Sequence, residues 1–313
     1  MPLIRWLLNV EPLWNTPEEF NEALNHLPPP THENILKYHQ PNDRKLALGS
    51  QLLQHLIVCR YRHIPFRDIR IVKHFGGIAG GRPVFIGNDD DGVEGLEYNV
   101  SHHGSVVGII SRLLPPKDCG NGGGGDEGGG VGVDVLEYER RPHYVEGTLE
   151  GVREWAGGFE EAKVFTGREM GVIYAAAAAA TGLSREDEEG KKVEGVVKAV
   201  HLNWVVKEAY VKAVGTGLVT DLTAVEFGLV GVAGRVEAGE RVDDVEVWIG
   251  TGEKRRAGEW YFEVERVERE GLEGGYCLAV VTRAEGLEEG DKRGEWKWLE
   301  YGGDILPFIQ AES

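Results

Sequence analysis

Residues Pro115 to Gly130 read PPKDCGNGGGGDEGGG, and this stretch limits what the chain can fold into more than any other. It holds no apolar residue at helical or strand spacing, so burial cannot offset the conformational entropy its glycines lose on ordering. We expect a flexible linker or surface loop at 115–130 that divides the chain into an N-terminal half, 1–114, and a C-terminal half, 131–313. Neither GKS nor GKT follows the glycines, so the phosphate-cradling Walker pattern fails. The same bias shows in the whole composition, where 45 of 313 residues are glycine, about twice the usual ~7% share.

The formal charge of −18 argues against a general nucleic-acid partner or an anionic membrane surface. The charge is unevenly spread. Arg44, Lys45, Arg60, Arg62, Arg67, Arg70, Lys73 and Arg82 face a single acid, Asp68, between positions 44 and 82, which allows a local anion site on an acidic protein. Cys59, Cys119 and Cys277 are too few and too scattered for a disulfide framework or a zinc knuckle, which points to a reducing compartment. The opening MPLIRWLLNV carries Arg5 and lacks the pattern of a signal peptide, and no apolar run approaches a spanning length. The expectation is a soluble cytosolic protein.

Apolar spacing predicts a helix over 43–61, a second over 159–180 that ends in the alanines 175–180, and a long one over 196–214. The charged run Ser184 to Lys192 reads as a loop. Alternation predicts strands near 69–74, 83–86, 97–100, 106–111, 131–139, 224–230, 245–249, 259–267 and 276–283, with Ser101-His102-His103-Gly104 as the turn between the third and fourth. The expected class is mixed α/β.

Four places could carry chemistry. Asp134 sits among valines in VGVDVL, where a carboxylate is costly unless bonded, paired or metal-bound, although a backbone cap would equally satisfy it. Glu208 and Lys212 share one face of the long helix in WVVKEAYVKAVGTGL; a solvated pair is the plain explanation, yet the surrounding residues leave that helix little polar surface. The segment Asn99-Val100-Ser101-His102-His103 offers a hydroxyl and two imidazoles to an anion, or only surface polarity. Gly81-Arg82-Pro83 is by itself a turn before a strand.

In this order, GRP, NVSH, GVDV and WVVKEAYVK, the chain resembles the 4′-phosphopantetheinyl transferases, in particular the larger Sfp-like group that includes fungal and other eukaryotic cytosolic enzymes. The resemblance runs from about Arg44 to Leu218. It implies an α/β fold of two pseudo-twofold-related halves with the active site at their interface. The implied reaction is transfer of the 4′-phosphopantetheine arm of coenzyme A to a serine of an acyl or peptidyl carrier protein, with release of 3′,5′-ADP. It also implies Mg²⁺, replaceable by Mn²⁺, on Asp134 and Glu208, and catalytic roles for Glu208, Lys212 and Asp134. Coenzyme A would meet Arg44, Arg82, Pro83, Ser101, His102, Lys207 and Lys212.

Bacterial members commonly carry a second acid two residues after the aspartate, where this chain has Leu136, and Glu137 beside it would need a bulge to turn inward. We therefore expect two carboxylate ligands with an additional water. The implied clients are carrier domains of fatty acid, polyketide and nonribosomal peptide synthases, or an aminoadipate reductase of lysine biosynthesis, and the implied state is a monomer. A non-catalytic coenzyme A or nucleotide-binding module would keep Arg44, Arg82 and His102 but lose Glu208 or Lys212. Both are present.

Overall fold

The opening apolar run is a buried strand, β1 (Ile4–Asn9), at the centre of a sheet. After it, Thr16 caps α1 (Pro17–Leu24) in a reciprocal capping box with Glu19, and α2 (Pro29–Leu36) and α3 (Pro41–Arg62) follow. The computed structural model describes residues 3–74, 82–85, 95–113, 130–176, 185–215, 217, 221–272, 274–292 and 294–311, the side chains of 73–74, 82–84, 185–187 and 311 excepted. Nearly all of the expected linker, and the alanines 177–180, lie outside the described residues.

In α3, Leu46, Leu48, Leu52, Leu53, Leu56 and Ile57 are all buried in the core of the first unit. Gly49 lets this helix approach the sheet, because a Cβ there would stand 2.9 Å from Val10 Cγ1. The ribbon β2 (Ile71–His74) and β3 (Arg82–Phe85) follows, then the hairpin β4 (Leu96–His103) and β5 (Val106–Leu113), in which Ser101 pairs with Gly108. Next comes β6 (Val131–Glu137).

The contacts group the chain into two units, Met1–Val135 with Lys212–Leu218 and Gly286–Ser313, and Leu136–Val211 with Val219–Glu285. The second unit packs α4 (Leu149–Glu161), α5 (Gly167–Ala176) and most of α6 (Arg185–Val214) around Val152, Phe165, Ile173, Val196 and Val200. It continues with β7 (Val225–Gly228), α7 (Val232–Glu237), β8 (Glu246–Ile249), β9 (Arg255–Arg256) and the antiparallel pair β10 (Trp260–Val267) and β11 (Tyr276–Arg283).

The chain then returns to the first unit with α8 (Glu289–Lys292), β12 (Lys297–Trp298) and α9 (Leu306–Ala311). Strand β12 pairs in parallel with β1, giving the order β12-β1-β5-β4. Ile305 and Ile309 enter the core of that unit. Arg5, which argued against a membrane segment, is buried and donates to the Asp291 carbonyl at 2.9 Å. No described helix is long and apolar enough to cross a membrane.

Three local expectations are corrected. The helix expected over 159–180 is two, α4 and α5, broken where Lys163 takes a left-handed φ of 56° and Thr166 opens a new capping box. The charged run expected as a loop from Ser184 is the start of α6, supported by the Glu188–Lys192 pair at 2.6 Å in the favourable order. The motif at 101–103 lies within β4 rather than in a turn; the chain reverses at Gly104, with φ 59°.

Candidate active site

Three alternate residues of β4 reach the next strand through their side chains. Glu97 Oε1 accepts from Gly130 N–H at 3.1 Å, Asn99 Oδ1 from Val133 N–H at 3.0 Å, and Ser101 Oγ donates to Asp134 Oδ1 at 2.8 Å. A strand turns every second side chain to one face, so the NVSH motif grips the GVD motif through its first and third residues. Gly108 leaves the room this needs, since a Cβ there would lie 2.8 Å from Val135 Cγ2.

The end of α6 supplies the third partner. Lys212 Nζ lies 2.6 Å from Asp134 Oδ1 and 2.8 Å from Ser101 Oγ, so serine, aspartate and lysine form one closed cluster inside the first unit. Asp134 is 7% exposed, and its cost of burial is met by this pair of donors. Among the described residues both bonds fall on Oδ1, which leaves Oδ2 for a further cation. Between Val196 and Ala213 only Trp204, Glu208 and Lys212 are partly exposed. They recur every four residues, a single half-open stripe on an otherwise buried helix.

The N-terminus of α3 belongs to the same neighbourhood as the far end of β4, because Asn42 Nδ2 donates to the Gly104 carbonyl at 2.8 Å. Arg44, two residues further on, donates to the Tyr38 carbonyl at 2.6 Å. His102 keeps solvent-exposed surface while much of it is surrounded by protein. That enclosure first and the Lys212 charge second hold its pKa below the ordinary histidine value, against the opposing pull of Asp43. Arg82 and Pro83 begin β3, but their side chains lie outside the described ones.

Lys207 is placed otherwise than the resemblance implied. Only 1% of its side chain is exposed, and its ammonium meets Glu169 Oε2 at 3.0 Å and the carbonyls of Leu222 and Val225 at 2.7 Å each. Three donors have three acceptors, so none is left for coenzyme A. Glu137 is also engaged, accepting from Arg140 at 3.1 Å and from Tyr276 at 3.4 Å. Sequence reasoning missed Glu169 and the part played by Asn99. The pattern Thr166-Gly167-Arg168-Glu169 is a readable capping box and was the available signal for the first.

A family described as "4'-phosphopantetheinyl transferase, N-terminal" matches residues 13–114, which include α3, β4 and β5. The chain is also similar along most of its length to the 4'-phosphopantetheinyl transferase NpgA of Emericella nidulans, at 28% identity over 93% of this chain and 85% of that one. Both matches are to 4′-phosphopantetheinyl transferases. A second fungal transferase, 4'-phosphopantetheinyl transferase A of Aspergillus fumigatus, is 25% identical over 91% of this chain and 84% of its own. The L-aminoadipate-semialdehyde dehydrogenase-phosphopantetheinyl transferase of Homo sapiens is 21% identical over 90% and 74%. Transferase relatives thus align with both units, and the Ser101–Asp134–Lys212 cluster is where three of the four motifs of the resemblance meet in space.

Proposed function

We propose that the chain is a 4′-phosphopantetheinyl transferase acting on carrier-protein domains. A carrier serine hydroxyl attacks the β-phosphorus of coenzyme A, forming a serine O–P bond. The P–O bond to the nucleotide breaks, 3′,5′-ADP leaves with the electron pair, and one proton is lost from serine. The observation that carries this reading is the three-way contact of Ser101, Asp134 and Lys212, drawn from three separated motifs.

The residues suit the group that the reaction class requires. A hard divalent cation takes oxygen ligands and keeps several waters, and Asp134 offers one carboxylate oxygen not used by Ser101 or Lys212. Glu208, one turn before Lys212 on the half-open stripe, offers a second carboxylate. Asp134 and Glu208 would hold Mg²⁺, and bound Mg²⁺ supplies neutralisation of charge on the phosphate oxygens.

The chain's own groups supply the rest. Lys212 presents a half-exposed ammonium to the pyrophosphate, pre-positioned by Asp134 and Ser101. Ser101 fixes the orientation of the Asp134 carboxylate. Glu208 accepts the serine proton, directly or through water. His102, neutral at pH 7, and Arg44 and Arg82 are assigned to the nucleotide end, where the 3′-phosphate needs donors. Client domains are those of fatty acid, polyketide and nonribosomal peptide synthases, or an aminoadipate reductase.

Incubating the protein with coenzyme A, Mg²⁺ and an apo-carrier protein should add the mass of one phosphopantetheine arm to the carrier. Binding of coenzyme A with no mass gain would leave a non-catalytic binding module instead.

A further inference from the structure

Lys207 precedes the proposed metal ligand Glu208, yet its ammonium points away from any solvent-open surface and into the second unit. There it meets Glu169, which is 0% exposed. Its Oε2 takes the Lys207 ammonium at 3.0 Å and the Thr166 N–H at 2.8 Å, and its Oε1 takes the Phe227 N–H at 2.9 Å. Lys207 in turn donates to the carbonyls of Leu222 and Val225. One ion pair therefore ties together the N-terminus of α5, the turn before β7, the backbone of β7 and the stretch of α6 that carries Glu208. Burial lowers the Lys207 pKa and Glu169 opposes that shift, as expected for a charge kept inside only by its partner.

We propose that Glu169 and Lys207 are a positioning pair that fixes the register and rotation of α6, so that Glu208 is presented at the angle the metal requires. This rests on Glu208 being a metal ligand. Neither member touches coenzyme A. The pair acts as outer partners of metal ligands do, through the orientation of the group that binds.

Mn²⁺ binding, read from the electron paramagnetic resonance of the free ion in the presence of coenzyme A, tests the pair without turnover. Glu169→Gln and Lys207→Met each leave one buried charge unpaired and should weaken Mn²⁺ binding by roughly tenfold or more. The combined Glu169→Gln/Lys207→Met protein carries no unpaired charge and should regain stability, yet it lacks the tie to α6 and should bind Mn²⁺ about as weakly as the single variants. Coenzyme A binding without metal should stay unchanged in all three.

Weaker metal-free coenzyme A binding in Lys207→Met but not in Glu169→Gln would make Lys207 a ligand of the substrate and overturn the proposal. So would Mn²⁺ binding unaffected in both single variants, which would leave the pair a core element only. Should the single variants fail to fold, the combined variant decides: folded with roughly tenfold weaker Mn²⁺ binding supports the pair, and folded with near-parental binding overturns it. Glu208→Gln is the control, since unchanged Mn²⁺ binding there would show the ligand assignment itself to be wrong.

Discussion

Asp134 is the residue whose replacement is most informative. Asp134→Asn keeps the shape and a partner for Ser101 but removes the charge that pairs with Lys212 and that the proposed metal site uses. Turnover should fall by ~10²-fold or more with the fold intact; near-normal turnover at low Mg²⁺ would place the metal elsewhere. His102 gives a prediction of opposite kind. Its imidazole is held neutral by enclosure and by Lys212, so a phosphate arriving beside it raises its pKa and draws in a proton. Calorimetry of coenzyme A binding in two buffers below about pH 7 should show proton uptake that is smaller in His102→Ala. Equal uptake in the two proteins would remove His102 from the nucleotide end. At this scale the sequence was legible where a residue stands out against its surroundings: Asp134 among valines has the bonded partners a buried carboxylate requires, although nothing in the sequence announced Lys212 as one of them. Lys207 was not, because a lysine inside a motif looks the same whether its ammonium turns to a ligand or to a carboxylate 38 residues away. Only the contact with Glu169 separates the two.

Elements with a plain period were read correctly, as α3, β10 and β11 show, and the misreadings occurred where side-chain bonds overrode the period. The start of α6 looked like a loop because its charges hide any apolar stripe; pairs such as Glu188–Lys192 hold it helical. Likewise β4 continues through Ser101 and His102, since its cross-strand partners Gly108 and Val107 extend the ladder. The bond from Val133 N–H to Asn99 is the tie between β4 and β6 most open to test. Asn99→Ala leaves a buried N–H unsatisfied, at a cost of about 1–3 kcal/mol, and should lower both Tm and turnover. An unchanged Tm would mean the strands are joined mainly by apolar packing around Gly108.

Helix α3 carries its own pH dependence. His55 is fully buried with Nδ1 donating to the Gln51 carbonyl at 2.8 Å, and burial lowers its pKa from 6.5 to about 4. Between those values the unfolded chain takes up a proton that the folded helix refuses, so stability is present above pH 6.5 and is lost as pH falls toward 4. The loss amounts to roughly 3 kcal/mol. Denaturant unfolding at a series of pH values should show this acid limb in the parent and a flatter one in His55→Gln.

For the molecule as a whole, the first unit is closed by the last part of the chain. Strand β12 covers the free edge of β1, the Asp291 carbonyl holds Arg5, and Ile305 and Ile309 fill the core. A protein ending at Glu285 should lose the cooperative unfolding transition of that unit and, with it, the Ser101–Asp134–Lys212 cluster; full activity from the shortened chain would show the closure to be dispensable. The same arrangement sets a schedule during synthesis. At ~5–20 residues per second, the edge of β1 waits on the order of 15 to 60 seconds for β12 to leave the ribosome. Through that interval the strand IRWLLN offers an unpaired hydrogen-bonding edge to any neighbouring nascent chain. Slower translation lengthens the exposure, and a prematurely terminated product never ends it. The yield of active protein should therefore depend on chaperone supply and growth temperature more than the stability of the finished fold would suggest.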